Sequence, residues 1–238
     1  MIFALAILPV AVLCKFSGNY RLPSSMLHYS LRFFVTKVLT VLGVISIEEI
    51  VGLKSITPLK PAIYVCNHRG KLDGPLILSY INYLKPTMKS KYARRPLFKI
   101  LVSWFGFCEV DVQSNTGLLQ TEQKCAEILK VQNVLFFPEG TRKTGDRLSD
   151  FKKMAFKIAI NNKVPVIPVL LYNEVPFMTK KFSSFFPLMR VKFKIHFLEP
   201  VQTTDKTVYE LTNEVYRLMD AELIKMSRPT KSKVMVST

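Results

Sequence analysis

Two short segments carry most of the chemistry this chain can do: Asn67-His68-Arg69-Gly70-Lys71-Leu72-Asp73 and, roughly seventy residues later, Phe137-Pro138-Glu139-Gly140-Thr141-Arg142. The first offers a base, His68, and a carboxylate, Asp73, to orient it. In one continuous helix five steps would turn these two side chains ~140° apart. Fully extended, the chain would hold them more than ~15 Å apart. They meet only if residues 67–72 fold back as a loop, for which Gly70 supplies the freedom. Asp73 then accepts a hydrogen bond from His68 Nδ1, fixes the tautomer and leaves Nε2 to take a proton. Set against this, Asp before Gly-Pro is also a good helix N-cap. The second segment follows the apolar run Val134–Phe137. Pro138 ends that run, Gly140 permits a tight turn, and Arg142 emerges where an open α/β sheet binds its ligands. A planar guanidinium suits phosphate, and Thr141 adds a hydroxyl donor. Together the segments describe a site that deprotonates a hydroxyl while an arginine holds a phosphate.

The elements that must position these residues alternate in type. Strands are expected over Ala62–Cys66, Phe107–Val112, Val134–Phe137, Val166–Leu171 and Val191–Phe197. Helices are expected over Pro75–Leu84, Arg95–Phe105, Leu118–Lys130, Phe151–Asn161 and Thr207–Lys225. Such alternation predicts an α/β fold: a single domain over residues 48–226 whose central, mostly parallel or mixed sheet is flanked by helices. Residues 227–238 read as a polar, frayed tail.

Ahead of the domain, residues 1–47 read as a membrane-associated helical pair. Met1 to Leu13 is almost wholly apolar, yet as a helix it reaches only ~20 Å, short of the ~30 Å hydrocarbon core. It lacks the basic start and small-residue cleavage site of a secretory signal. After a polar break (Lys15 to Pro23), Ser25 to Ile47 sets Leu27, Leu31, Phe34, Val35, Val38, Leu39 and Leu42 at helical spacing, with Arg32 and Lys37 on the other side. That pattern suits a helix lying in the headgroup layer. The competing reading is a helix that covers the core of a soluble domain.

Charge agrees with an anionic partner. Lys and Arg number 34 against 17 Asp and Glu, a formal net charge of +17. With 49% hydrophobic residues and a mean hydropathy of +0.20, the chain suits a negatively charged leaflet better than nucleic acid. The four cysteines form no CxxC pair and no metal-ligand spacing with the three histidines, so no metal site is expected. Cys66, two residues before His68, reads as a packed core thiol rather than a nucleophile. Lys89, Lys91, Arg94 and Arg95 make a further basic cluster that either steers an anionic substrate or faces solvent.

The same residues carry a family likeness. The chain resembles the glycerophospholipid acyltransferases, in particular those acting on lysophosphatidic acid (1-acyl-sn-glycerol-3-phosphate). Residues 67–73 are similar to the family's NHxSxxD motif, and the Lys91-to-Asp111 region, with Pro96 and Gly106, to its second motif. Residues 137–142 match the third without a change, and Val164-Pro165-Val166-Ile167-Pro168-Val169 the fourth. Phe151-Lys152-Lys153 also fits, and the likeness covers residues 60 to 172. It implies that His68 is the general base and Asp73 its orienting partner. It further implies a glycerophosphate pocket of Glu139, Gly140, Thr141 and Arg142, with Arg142 on the phosphate. Pro168 and its neighbours would line the acyl-donor side. The acceptor hydroxyl would attack the thioester of acyl-CoA or acyl-carrier protein, without metal or prosthetic group, at the cytoplasmic face of a membrane. Three departures stand out: Gly70 replaces the usual Ser, Val112 follows Asp111 where Arg is usual, and Met154 replaces a Gly. With the second departure, the second phosphate-binding Arg that the resemblance implies is either absent or moved to Arg94 or Arg95, with Lys91 beside them. That departure also leaves open another lysophospholipid or hydroxylated lipid as acceptor, with a non-catalytic, basic membrane-binding protein as the alternative of another class.

Overall fold

The computed structural model describes residues 21–56, 61–179, 182–185 and 187–228. Seven strands form one sheet: β1 Ile45–Val51, β2 Ile63–Cys66, β3 Leu84–Lys89, β4 Cys108–Val110, β5 Asn133–Phe136, β6 Val166–Tyr172 and β7 Val191–Phe197. Their order across the sheet is β1-β7-β6-β2-β5-β3-β4. Every neighbouring pair is parallel except β6 with β7. The expected mostly parallel, mixed α/β sheet is what the chain forms.

Helices cover both faces. On one lie α1 (Arg21–Phe33, continued by a π-helical turn over Phe34–Leu39), the short α2 (Leu53–Ile56), α3 (Asp73–Leu78), and, after the short α4 (Ser90–Ala93), α5 (Pro96–Phe105). On the other lie α6 (Asn115–Leu129), α7 (Met154–Asn161) and α8 (Val208–Ser227). The core divides accordingly. Tyr64, Cys66, Leu76, Ile77 and Leu135 face the first set, and Ile63, Val65, Val134, Phe156 and Val215 the second. Strand periodicity explains the division, because successive side chains of a buried strand point to opposite faces. At α8 the expected start is confirmed by a capping box, in which Thr207 Oγ1 accepts from Glu210 N and Glu210 Oε2 from Thr207 N.

Two strands differ from the sequence expectation. Leu84–Lys89 holds two lysines and a proline, which the sequence divides between a helix end and a basic cluster; it is β3. Ile45–Val51, with Glu48 and Glu49, is β1, an edge strand on which charge is tolerated. The single helix expected over Ser25–Ile47 therefore stops earlier, and Ile45 is buried in the sheet. Within that stretch Val35 is buried, and Leu27, Leu31 and Leu39 pack against the core. Tyr29, Phe33, Val41 and Leu42 are exposed. The stretch thus has one face on the domain and another apolar face outward. Met1 to Leu13, the first helix of the expected pair, lies outside the described residues, as does the tail from residue 229. Among the described residues, no helix is long and apolar enough to cross a membrane.

Candidate active site

Four adjacent parallel strands, β6, β2, β5 and β3, deliver their following residues to one edge of the sheet. β2 leads into residues 67–73, β5 into residues 137–142, and β3 ends at Lys89. Carboxyl-end crevices of this kind are where open α/β sheets hold ligands.

The loop after β2 begins with Asn67, whose amide prolongs the ladder to β6: Nδ2 donates to Leu171 O at 2.9 Å and Oδ1 accepts from Leu171 N at 2.8 Å. The chain then turns around a single oxygen. Asp73 Oδ2 accepts from Arg69 N at 2.6 Å, Gly70 N at 2.8 Å and His68 Nδ1 at 2.7 Å. All three donors precede Asp73, whereas an N-cap side chain accepts from residues that follow it. The capping reading of Asp73 is thereby excluded; Asp73 is already the first residue of α3, and Leu72 occupies the cap. A carboxylate can only accept, so the proton of the His68–Asp73 bond belongs to Nδ1 and Nε2 carries the lone pair. The His68 ring lies against Phe137, with centroids 4.3 Å apart. Asp73 is 1% exposed while the His68 side chain keeps 24% of its surface, so the orienting group is sealed and the base is reachable.

Residues 137–142 approach the base from β5. Gly140 N–H closes the turn on Phe137 O at 3.0 Å, and Gly140 has a φ of 66°, which a residue with a side chain rarely adopts. Glu139 is buried with both oxygens occupied: Oε1 accepts from His68 N and Oε2 from Ser149 N, each at 2.9 Å. Lys143 N then donates to His68 O at 2.8 Å. The backbone of the base is thus held on both sides by the second segment. Besides the pocket role expected of it, Glu139 thus clamps the two loops together. Thr141 is exposed on the turn, and half-buried Arg142 lies beside Gly140 with Nη1 donating to Thr179 O at 3.4 Å.

The second cation at this turn is Lys89. Its Nζ donates to Gly140 O at 2.7 Å. Parallel register decides this: Pro86 pairs with Leu135, so three residues further Lys89 draws level with Pro138. Sequence reading placed Lys89 in a basic cluster but could not single it out without recognising β3. The other cations of that cluster make local contacts of their own. Lys91 Nζ stands over the Tyr92 ring at 5.1 Å, and Arg94 Nε faces Glu109 at 3.8 Å. Arg95 rests on the other contact of Tyr92, 5.4 Å from its centroid. Pro168, expected on the acyl-donor side, is a strand residue. It sits inside β6 opposite Val65, and its carbonyl accepts from Leu198 N at 2.9 Å. The β6–β7 ladder begins at Val169, so proline's missing N–H costs no ladder bond there.

Two neighbours that look reactive are structural. Arg69 is buried, with Nε on Asn173 Oδ1, Nη2 on Asn173 O, Nη1 on Gly145 O, and its plane over Tyr172. Cys66 is fully buried, and burial, aided by the charges of Asp73 and Glu139, pushes its thiol well above the ordinary range. A thiolate nucleophile is excluded there. Among the described residues, no three His, Cys, Asp or Glu side chains are grouped to hold a metal ion.

A profile of the family described as Acyltransferase matches residues 48–172, just over half of the sequence. The chain belongs to the acyltransferase family. A chloroplast 1-acyl-sn-glycerol-3-phosphate acyltransferase of Arabidopsis thaliana is 34% identical over 128 residues, 53% of this chain and 35% of that protein. The alpha 1-acyl-sn-glycerol-3-phosphate acyltransferase of Mus musculus is 29% identical over 166 residues, 67% of this chain and 56% of that protein. The matches therefore span between about a third and just over half of the length of these relatives. The fold is similar to the crystal structure of the 1-acyl-sn-glycerophosphate acyltransferase PlsC from Thermotoga maritima. The TM-score is 0.69 at 22% identity, over 97% of each chain. The matched segment, residues 48–172, contains His68, Asp73, Lys89 and the whole 137–142 turn.

Proposed function

We propose that this member of the acyltransferase family transfers a fatty acyl group from a thioester to the free hydroxyl of lysophosphatidic acid, giving phosphatidic acid in phospholipid biosynthesis. The observation that carries the reading is the oriented His68–Asp73 pair locked to a turn that bears Arg142 and is joined by Lys89 from β3. His68 Nε2 accepts the proton of the acceptor hydroxyl as its oxygen forms a bond to the thioester carbonyl carbon. Asp73 stabilises the imidazolium that results. Collapse of the tetrahedral adduct breaks the carbon–sulfur bond, and the thiol of CoA or of acyl-carrier protein leaves with the proton. Arg142 and Lys89 hold the acceptor phosphate, the first by its planar fork and the second as a point charge. Gly140 and Thr141 shape the turn beneath them. No metal or prosthetic group takes part in this chemistry.

The acceptor is a membrane lipid, and the enzyme works at the cytoplasmic face of a bilayer rather than on nucleic acid. Exposed Tyr29, Phe33, Val41 and Leu42, beside exposed Arg32 and Lys37, support that placement. Val112, which stands where the resembled motif leads one to expect Arg, is exposed beyond the end of β4, which keeps an acceptor other than lysophosphatidic acid as the second reading.

The test is an acceptor panel. Detergent-solubilised protein with acyl-CoA is expected to acylate lysophosphatidic acid faster than a lysophospholipid whose phosphate is covered by a headgroup. His68→Ala is expected to abolish transfer while the thermal midpoint is retained. Full activity in that variant would overturn the mechanism, and equal rates on both acceptors would favour the second reading.

A further inference from the structure

The segment that follows β6 returns to the site and lies across the base loop, and nothing in the reaction described so far uses it. Phe177 is buried, and its carbonyl oxygen would stand 2.3 Å from a Cβ placed on Gly70. One residue on, Met178 O accepts from Lys71 N at 2.9 Å. One further, Thr179 O accepts from Arg142 Nη1. Three successive carbonyls thus face the base loop and the phosphate arginine.

That course requires Met178 to turn with a φ of 48°, the left-handed region that costs a side-chain-bearing residue of order 1 kcal/mol or more. Ser184 holds the turn in place. Its carbonyl accepts from Met178 N, and its Oγ accepts from both Thr179 N and Thr179 Oγ1, each bond at 2.9 Å. Behind the turn is open space, a cavity of about 420 Å³ lined by Val175, Pro176, Thr179, Ser184, Leu188 and Met189 among others. Ser184 thus supplies three of the bonds that hold this turn, beside those of Lys71 N to Met178 O and Arg142 Nη1 to Thr179 O.

We propose that residues 177–179 are an acceptor-positioning strap, that Ser184 is the positioning residue that holds it, and that Gly70 is the vacancy that admits it. Resting on the assignment of Arg142 to the acceptor phosphate, the strap fixes where that guanidinium stands relative to His68. It therefore sets how strongly the enzyme distinguishes acceptors by their terminal phosphate. Gly70 is then a specificity feature of this chain, because a Cβ there would stand 2.3 Å from Phe177 O and displace the strap.

The experiment compares steady-state constants of Ser184→Ala, Ser184→Thr and Gly70→Ala with the parent enzyme. Acyl-CoA is the donor, and lysophosphatidic acid and a phosphate-free monoacylglycerol are the acceptors. Losing the two neutral hydrogen bonds of Ser184 Oγ loosens the strap that Arg142 leans on and predicts a roughly three- to tenfold rise in KM for lysophosphatidic acid in Ser184→Ala. KM for acyl-CoA should stay constant, and the preference over monoacylglycerol should shrink by the same factor. Ser184→Thr keeps the hydroxyl and restores the parent values, and Gly70→Ala reproduces the Ser184→Ala phenotype. In an Arg142→Ala background, Ser184→Ala adds no further change. The proposal is overturned if Ser184→Ala alters stability alone, raises both KM values equally, or adds its full effect to Arg142→Ala. Should Arg142→Ala itself leave the acceptor KM unchanged, the phosphate assignment fails instead, which separates the two outcomes.

Discussion

Replacing Asp73 by Asn separates the charge of the orienting side chain from its shape. Asp73 Oδ2 accepts from His68 Nδ1 at 2.7 Å and from the N–H groups of Arg69 and Gly70 at 2.6 and 2.8 Å. An amide oxygen can take all three acceptor roles, so the loop keeps its course in Asp73→Asn. What disappears is the negative charge beside the imidazolium that forms as His68 takes the hydroxyl proton. At the 2.7 Å separation, and with an effective dielectric of ~20, a full charge pair amounts to roughly 6 kcal/mol. With the proton about half transferred at the transition state, about 3 kcal/mol is lost, or roughly 10²-fold in rate. The expected result is a kcat lower by roughly 10²-fold, with little change in acceptor KM or in the thermal midpoint. Asp73→Ala differs, because three buried donors lose their acceptor at about 1–3 kcal/mol each. Thiol release from acyl-CoA in detergent micelles reads the rate, and circular dichroism against temperature reads the fold. If Asp73→Asn keeps more than a third of the parent kcat, or melts as early as Asp73→Ala, the charge-and-shape argument is wrong.

Two further outcomes are expected. Lys89→Met removes the second cation at the Gly140 turn and should raise the KM for lysophosphatidic acid about tenfold while sparing that for acyl-CoA. An unchanged acceptor KM would show that Lys89 serves only to hold Gly140 O. Lys85 is buried on β3 with its Nζ on Phe105 O at 2.6 Å, and burial lowers its pKa from 10.5 to about 8. Below about pH 8 the side chain is charged in both folded and unfolded chains, and its burial costs roughly 3 kcal/mol. Between about pH 8 and 10.5 the unfolded chain binds more protons, so stability rises with pH and the penalty fades. Unfolding free energies from urea titrations should therefore climb between pH 7.5 and 9.5 by about 2 kcal/mol more in the parent than in Lys85→Met; parallel curves would contradict the assignment.

Composition and periodicity sufficed for the α/β class, the layered arrangement and five of the strands, because buried parallel strands are apolar runs that need no partner to be recognised. The chemistry-bearing residues were legible for a different reason: a base, a carboxylate five residues on, and a Pro-Glu-Gly-Thr-Arg turn are local strings. The roles within the second string were not local. Glu139 resembles a ligand-binding carboxylate until the fold brings His68 N and Ser149 N to its two oxygens. Lys89 resembles its neighbours Lys91 and Arg94 until the register of β3 against β5 sets it on Gly140. That Pro168 is a strand residue placed where its missing N–H is harmless follows only from the pairing of β6 with β2 and β7.

By itself the sequence determined which groups are available for proton transfer and anion binding, since those depend only on residue type and short spacing. The tertiary structure alone decided which of them converge. Asn67 finds Leu171, Arg69 finds Asn173 and Gly70 finds Phe177 across more than a hundred residues. Such pairings follow from strand order and register, and these are set by the burial of whole faces rather than by any one segment.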